Sequence, residues 1–212
     1  MLTNKLKLNS EKTHLLLIKS DASRRLQPDL TVSLNTGSEI IHPSKNEKLL
    51  GGIISQNLKF TDHIMHHENS LLRILNQRLN ALKLVCPFLS FKSRKQIAAG
   101  IFMSQLISLM PLWCGAEVYL IKALQVTQNK AARIVTSCDI YTPISKLLQQ
   151  CGWLSVSQLG MYHSLMLVYK TLTTRYPVYL HQKLTFQPPE KHYKTRNIVN
   201  THENELLIVS NS

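Results

Sequence analysis

The strongest constraint on how this chain folds is a ladder of leucines at helical spacing. Ile64, Leu71, Leu75, Leu79 and Leu82 recur on one face with Leu72 beside them, and Pro87 follows. Steps of three, four and seven residues define a helix with one side in a core. Proline restrains the residue before it away from helical geometry, so the helix is expected to end before Pro87. A stripe of this kind must be covered by other elements. Four more segments offer the same period. One starts after Ser90 and runs to about Leu109 on Ile97, Ala98, Ile101, Phe102, Leu106 and Leu109, with Pro111 as its stop. Another spans about Glu117 to Thr136 with Leu120, Leu124, Ala131, Ile134 and Val135 buried. A short fourth is expected with Thr142 as N-cap and Pro143 at the first helical position. The fifth opens on Ser155 and Gln158, the spacing of a capping box. Its buried stripe would be Leu159, Tyr162, Met166, Tyr169 and Leu172, limited by Pro177.

Before Phe60 the pattern is short and β-like. Buried strands are expected at Lys12 to Lys19, Leu30 to Leu34 and Lys48 to Ile54, with Gly37 and Gly51-Gly52 as turn or bulge positions. The fold class expected is therefore mainly α (α+β): a small N-terminal β portion followed by a bundle of about five helices. The divisions expected are 1–60, 61–182 and a weakly ordered tail, 183–212, broken by Pro188-Pro189. Leu206 to Val209 could form a strand, but it has no visible partner.

Charge narrows the partners. Lys and Arg number 25 against 12 Asp and Glu, a net charge of +13, and this makes a polyanion the default partner. The apolar stretch Ile97 to Leu112 is interrupted by Gly100, Ser104, Gln105 and Ser108, so it reads as a buried helix rather than a membrane span. Met1 precedes a polar, basic run and not a signal sequence, which points to the cytoplasm or nucleus. The cysteines, Cys86, Cys114, Cys138 and Cys151, form no C-x-x-C pair and read as reduced, mostly buried thiols.

Three arrangements could carry chemistry. His63, His66 and His67 have zinc-like spacing, flanked by Asp62 and Glu68, but no general-base glutamate lies between two of them; an ordinary polar helix start explains them as well, and no metal is assigned. Cys151 and His163 could form a nucleophile and base, but nothing orders them, and a buried thiol is the plainer reading. Two-metal catalysis needs converging carboxylates, whereas Asp21, Asp29, Asp62 and Asp139 are isolated in sequence. Gly51-Gly52 fits no phosphate-binding loop. No catalytic residue and no cofactor follow from these patterns.

The basic residues are the better candidates. Lys92, Arg94 and Lys95 crowd the first turns of the second helix, where the helix dipole disfavours cations. Lys122, Lys130 and Arg133 accompany Gln125, Gln128 and Asn129 on the third, a mixture suited to phosphate and sugar contacts. A solvated helix face is the alternative for both trios. If the two helices pack side by side, the trios could meet two strands of a nucleic acid.

The segments also resemble, in order, part of one protein family. LKLNSEKTHLLLI resembles the part of the reverse transcriptase palm that follows the catalytic YxDD strand. KLLGGIISQNLKFTDHI resembles the LG-x-x-x-D-x-x-L-x-x-x-x-H-I stretch between palm and thumb, and ALQVTQNKAARIVT the LQ-x-x-Q-N-x-A-x-R helix beyond it. YTPISKLLQQCGWLSVSQLGMYHSLMLVYKTL, RYPVYL and Thr195-Arg196 resemble the segments that follow. The family is the reverse transcriptase of non-LTR, LINE-type retrotransposons, and the resemblance covers nearly the whole chain. Ser55 stands where that family usually has Asp, and Gly52 where it has a branched aliphatic residue. The resemblance implies a thumb-like region gripping a template–primer duplex, RNA–DNA or otherwise. It also implies a catalytically inactive fragment, since YxDD would lie just upstream of Met1 and any magnesium would belong to that palm core. N-terminal strands without palm partners would be orphaned. The rival function is a helical protein-interaction module with no nucleic-acid role.

Overall fold

The computed structural model describes residues 9, 12–18, 33–35, 40–186 and 207–209. The chain divides into two compact units, Met1–Met161 and Tyr162–Ser212. The fold is mainly α, with a few short strands at the N-terminal end.

The N-terminal strands pair with one another, so the expectation of orphaned strands does not hold. β1 (Leu15–Leu16) lies parallel to β4 (Pro43–Ser44), tied by Ser44 Oγ donating to Leu15 O at 3.1 Å. β2 (Leu34–Asn35) is antiparallel to β3 (Ile40–Ile41). The strand expected over Lys12 to Lys19 shrinks to β1, and Lys19 and most of Leu30 to Leu34 fall outside the described residues. The strand expected over Lys48 to Ile54 is instead a hairpin, β5 (Asn46–Leu49) against β6 (Gly52–Ser55). Its two loop residues, Leu50 and Gly51, both have positive φ, 49° and 87°. That is the combination a tight hairpin turn needs to match strand twist, and a leucine in the first position hides it. At Gly52 a Cβ would lie 2.8 Å from Leu109 Cδ1, the movable end of a flexible side chain.

The leucine ladder spans two elements, not one. Asp62–His66 forms a single π-helical turn that buries Ile64, and α1 (Leu71–Val85) then buries Leu71, Leu75, Leu79 and Leu82. The break has a local cause. His67 is extended (ψ 150°), and its Nδ1 accepts the Asn69 N–H at 3.0 Å, a side-chain alternative to the helical ladder. Pro87 sits within a 3₁₀ turn, Cys86–Phe88, directly after α1.

The second expected helix is also segmented. α2 (Phe91–Ala98) starts as expected on Ser90, whose Oγ accepts the Ser93 N–H at 3.3 Å. A π-helical turn, Ala99–Met103, follows, where the Ser104 hydroxyl bonds back to Gly100 O. α3 (Ser104–Ile107) ends at extended Ser108 and left-handed Leu109, φ 55°. Pro111 does not stop this helix. It lies in the first turn of a new one, α4 (Met110–Trp113), where its missing N–H costs nothing.

α5 (Val118–Thr136) matches its expected span and leads to α6 (Ile144–Cys151). Thr142 does not cap α6. Extended Pro143 occupies the N-cap position, one residue later than expected. α6 ends on left-handed Gly152, with Trp153 N–H bonded to Leu148 O at 2.8 Å, the closing bond of a Schellman motif. α7 (Val156–Thr174) begins on the expected capping box: Gln158 N–H donates to Ser155 Oγ at 3.3 Å, and Ser155 N–H to Gln158 Oε1 at 3.0 Å.

In the first unit one hydrophobic core joins these pieces. Leu75 and Leu82 of α1, Phe102 and Leu106, Trp113, and Leu120 and Leu124 of α5 are all buried in it. Trp113 lies within it without stranding its polar atom, since Nε1 donates to Ser108 O at 2.9 Å. In the second unit α7 continues to Thr174, followed by α8 (Val178–Lys183) and β7 (Leu184–Phe186). The last strand, β8 (Leu207–Val209), has no partner visible in the sequence, yet it pairs antiparallel with β7. Tyr162 and Tyr169 are not buried as expected; they are 51% and 65% exposed, because apolar side chains run all round this helix rather than in one stripe. The remaining tail, 187–206 and 210–212, lies outside the described residues. No helix among the described residues is long and apolar enough to cross a membrane.

Candidate nucleic-acid interface

The six basic residues singled out by sequence divide into two kinds. α2 packs against α5, and the first turn of α2 meets the last turn of α5. Arg94 makes that junction: Nε donates to Leu89 O at 2.8 Å, and Nη1 bonds to the hydroxyl of Ser137, the left-handed residue that ends α5. Arg133 Nη1 donates to Thr142 O at 3.4 Å. Lys95 is half-buried, with Nζ 3.2 Å from where a Cβ on Gly152 would stand. That position is the C-terminal end of α6, where a cation is favoured by the helix dipole. Arg94 and Arg133 therefore fasten the fold by hydrogen bonds, and Lys95 lies half-buried against the end of α6.

Lys92, Lys122 and Lys130 are exposed and free to meet an anion. The two trios do not form two parallel rows. Arg133 shares a hollow of about 290 Å³ with Lys83, Cys86, Ser137 and Cys138 at the α2 end, whereas Lys122 is eleven residues further up α5, about 16 Å along the helix axis.

The amides expected beside these cations face inward. Gln128 is fully buried, and its Nε2 donates to Leu154 O at 2.9 Å. Gln125 Oε1 accepts the Val156 N–H at 2.8 Å, satisfying an orphan donor at the start of α7, while its Nε2 donates to Asn129 Oδ1 at 2.8 Å. The expectation that these side chains contact sugar and phosphate is thus corrected: Gln125 and Gln128 latch α5 to the segment after α6, and Asn129 is tied to Gln125. The cation–amide mixture occurs instead on α1, where Arg73, Asn76, Gln77 and Asn80 share the exposed face opposite the leucines. Their spacing of three, four and seven is legible in the sequence, but the leucine stripe of the same helix is the louder signal.

The histidines do not converge. His63 is buried: Nδ1 accepts the Ile53 N–H at 3.3 Å, its ring meets Phe60 edge-on, and Nε2 has no partner. Burial holds its pKa below the usual histidine value. His66 is exposed, and His67 is engaged with Asn69. No group of three His, Cys, Asp or Glu among the described residues could hold a metal ion. None of the four cysteines is in a disulfide; Cys86 and Cys151 are buried. Burial pushes the Cys151 thiol up to about 11, against the opposing pull of Lys95, which makes it a poor nucleophile near neutral pH. His163 packs its ring edge-on to Tyr162 at 5.3 Å. Of the isolated aspartates, Asp62 lies in the π-helical turn and Asp139 is exposed after α5. Asp21 and Asp29 lie outside the described residues.

The surface electrostatics are one-sided. His14 Nδ1 lies 3.5 Å from Glu47 Oε1, and no described Lys or Arg pairs with a described carboxylate. Comparison with protein-family models, curated proteins and solved structures finds no match to this chain.

Proposed function

We propose that this chain is a thumb-side piece of a non-LTR retrotransposon reverse transcriptase, which binds the backbone of template–primer and has no polymerase chemistry of its own. The observation that carries the binding is the net charge of +13 on a surface whose described lysines and arginines have no carboxylate partners. Unpaired cations on a folded surface release condensed counterions when they meet phosphates, and this drives association without regard to sequence. The contacts assigned are Lys92, Lys122 and Lys130, with Arg73 and Asn80 of α1 as neighbours in kind.

The family resemblance supplies the rest of the reading. The segment resembling the palm–thumb junction falls on the β5–β6 hairpin and the turn after it, and LQVTQNKAAR falls within α5. The recurring residues of that helix serve its packing. Leu124 and Ala131 fill the core, Gln125 and Gln128 latch, and Arg133 holds Thr142 O. No catalytic role and no magnesium are assigned to the isolated aspartates.

The test is binding of the full chain to RNA–DNA hybrid and to DNA duplex over a salt series, alongside primer extension with magnesium. Affinity should fall linearly in log–log salt, alike for both duplexes and for unrelated sequences, with no extension. Salt-independent binding, or none, would favour the interaction-module reading; extension surviving control purifications would end the assignment as non-catalytic.

A further inference from the structure

In the second unit, α7 presents aromatic side chains to solvent. Tyr162 and Tyr169 are 51% and 65% exposed, with Leu165 between them at 62%. Seven residues apart, the two tyrosines lie on one face, separated by about 10 Å along the axis. Lys170 follows Tyr169, and Arg175 follows the helix, both exposed. The backbone at Arg175 is left-handed, φ 56°, and the turn is fixed by Thr174, whose Oγ1 accepts the Tyr176 N–H at 3.3 Å. From Ile140 to Phe186 the sequence contains no Asp or Glu.

We infer that this face of α7 is a stacking platform for single-stranded nucleic acid. The inference rests on the nucleic-acid reading above and adds a second surface and a strandedness. Every base has a π-face, so an exposed tyrosine can stack on unpaired bases of any sequence, while cations that follow in the chain, Lys170 and Arg175, supply charge for the backbone. From Ile140 to Phe186 the chain itself supplies no carboxylate to oppose a polyanion. A membrane surface fits less well, because an interfacial helix gathers its apolar residues on one side. Here Leu167, 41% exposed, lies well off the Tyr162–Tyr169 line. Paired bases hide their faces inside the duplex, so the platform acts only on unpaired strand.

The test compares the full-length parent, Tyr162→Ala/Tyr169→Ala, and Tyr162→Phe/Tyr169→Phe. The probes are a mixed-sequence single strand and the duplex built on it, at one salt concentration. The Ala variant should lose at least about tenfold in single-strand affinity, while its duplex affinity holds within about twofold and the Phe variant keeps its stacking. Equal single-strand affinity in all three, with duplex binding intact, overturns the platform but leaves the duplex reading standing. Equal loss on both probes overturns it too, since the effect would not be stacking. Failure of the parent on both probes defeats the platform and the underlying reading together. Vesicles of phosphatidylcholine and phosphatidylserine serve as the last arm: binding lost in the Ala variant while single-strand affinity is unchanged would assign the face to lipid instead.

Discussion

Arg94 and Lys92 are two residues apart and look alike in sequence, but their surroundings differ. Arg94 is half-buried and bonds to Leu89 O and the Ser137 hydroxyl, while Lys92 is exposed. Hydrogen bonds from a charged donor to a part-buried acceptor contribute about 1.5–3 kcal/mol, so Arg94→Ala should lower the urea unfolding free energy by about that much. Lys92→Ala should stay within about 0.5 kcal/mol. Equal stability of the two variants would mean that Arg94 is not a fastener. His63 offers a second test. Its buried ring accepts the Ile53 N–H, so protonation removes that bond and places a charge in the core. Its folded-state pKa is lowered by burial. The unfolded chain therefore takes up the proton first, and stability is retained above the unfolded value of about 6.5 and lost as pH falls below it. In urea titrations from pH 8 to 5, His63→Gln should lose less stability on acidification than the parent; parallel curves would exclude His63 as a source of the acid sensitivity.

At the scale of elements, close approaches decide what sequence periodicity leaves open. α7 reaches α4 and its flank through Gly160, where a Cβ would lie 2.8 Å from the Cβ of Cys114. Alanine at a helix interior position gains about 1 kcal/mol over glycine, but overpacking costs about 1–3 kcal/mol. The neighbouring atom is a Cβ, which cannot rotate away, so the steric cost should win. Gly160→Ala is expected to lower thermal stability, and Cys114→Gly in the same chain to restore part of it. A stabilised Gly160→Ala would show that the helices can move apart freely. The breaks at His67–Ser70 and Ser108–Leu109 belong to this scale as well. Each arises from a few side-chain or backbone hydrogen bonds that outcompete a regular helix, and neither interrupts the apolar period that makes one long helix look sufficient.

For the whole molecule the governing quantity is uncompensated charge. Replacing Lys92, Lys122 and Lys130 together by Ala should weaken binding to every duplex alike and flatten the salt slope by about one unit for each phosphate no longer neutralised. Stability should barely change, since all three are exposed and unpaired. Measured on hybrid and duplex from low to high salt, an unchanged slope would move the interface elsewhere, with the Arg73–Asn80 face of α1 the next place to look. Replacing Arg94 and Arg133 instead would confound binding with folding, because both make hydrogen bonds that tie the ends of α2 and α5 to neighbouring segments.

The sequence by itself determined the class of fold, the helical register and the charge. Leu71, Leu75, Leu79 and Leu82 had to face inward, Ser90 and Ser155 had to start helices, and the cations far outnumber the acids. Those properties are local or additive, so they can be read one residue at a time. What the tertiary structure decided was the use of each polar side chain. Gln125, Gln128, Arg94 and Arg133 resemble surface groups for phosphate, and become internal latches because their partners, Val156, Leu154, Ser137 and Thr142, are brought to them by packing. The hairpin at Leu50-Gly51, the pairing of β8 with β7, and the exposure of Tyr162 and Tyr169 are hidden for the same reason. Each depends on what lies opposite in space, and helical or strand periodicity carries no record of that.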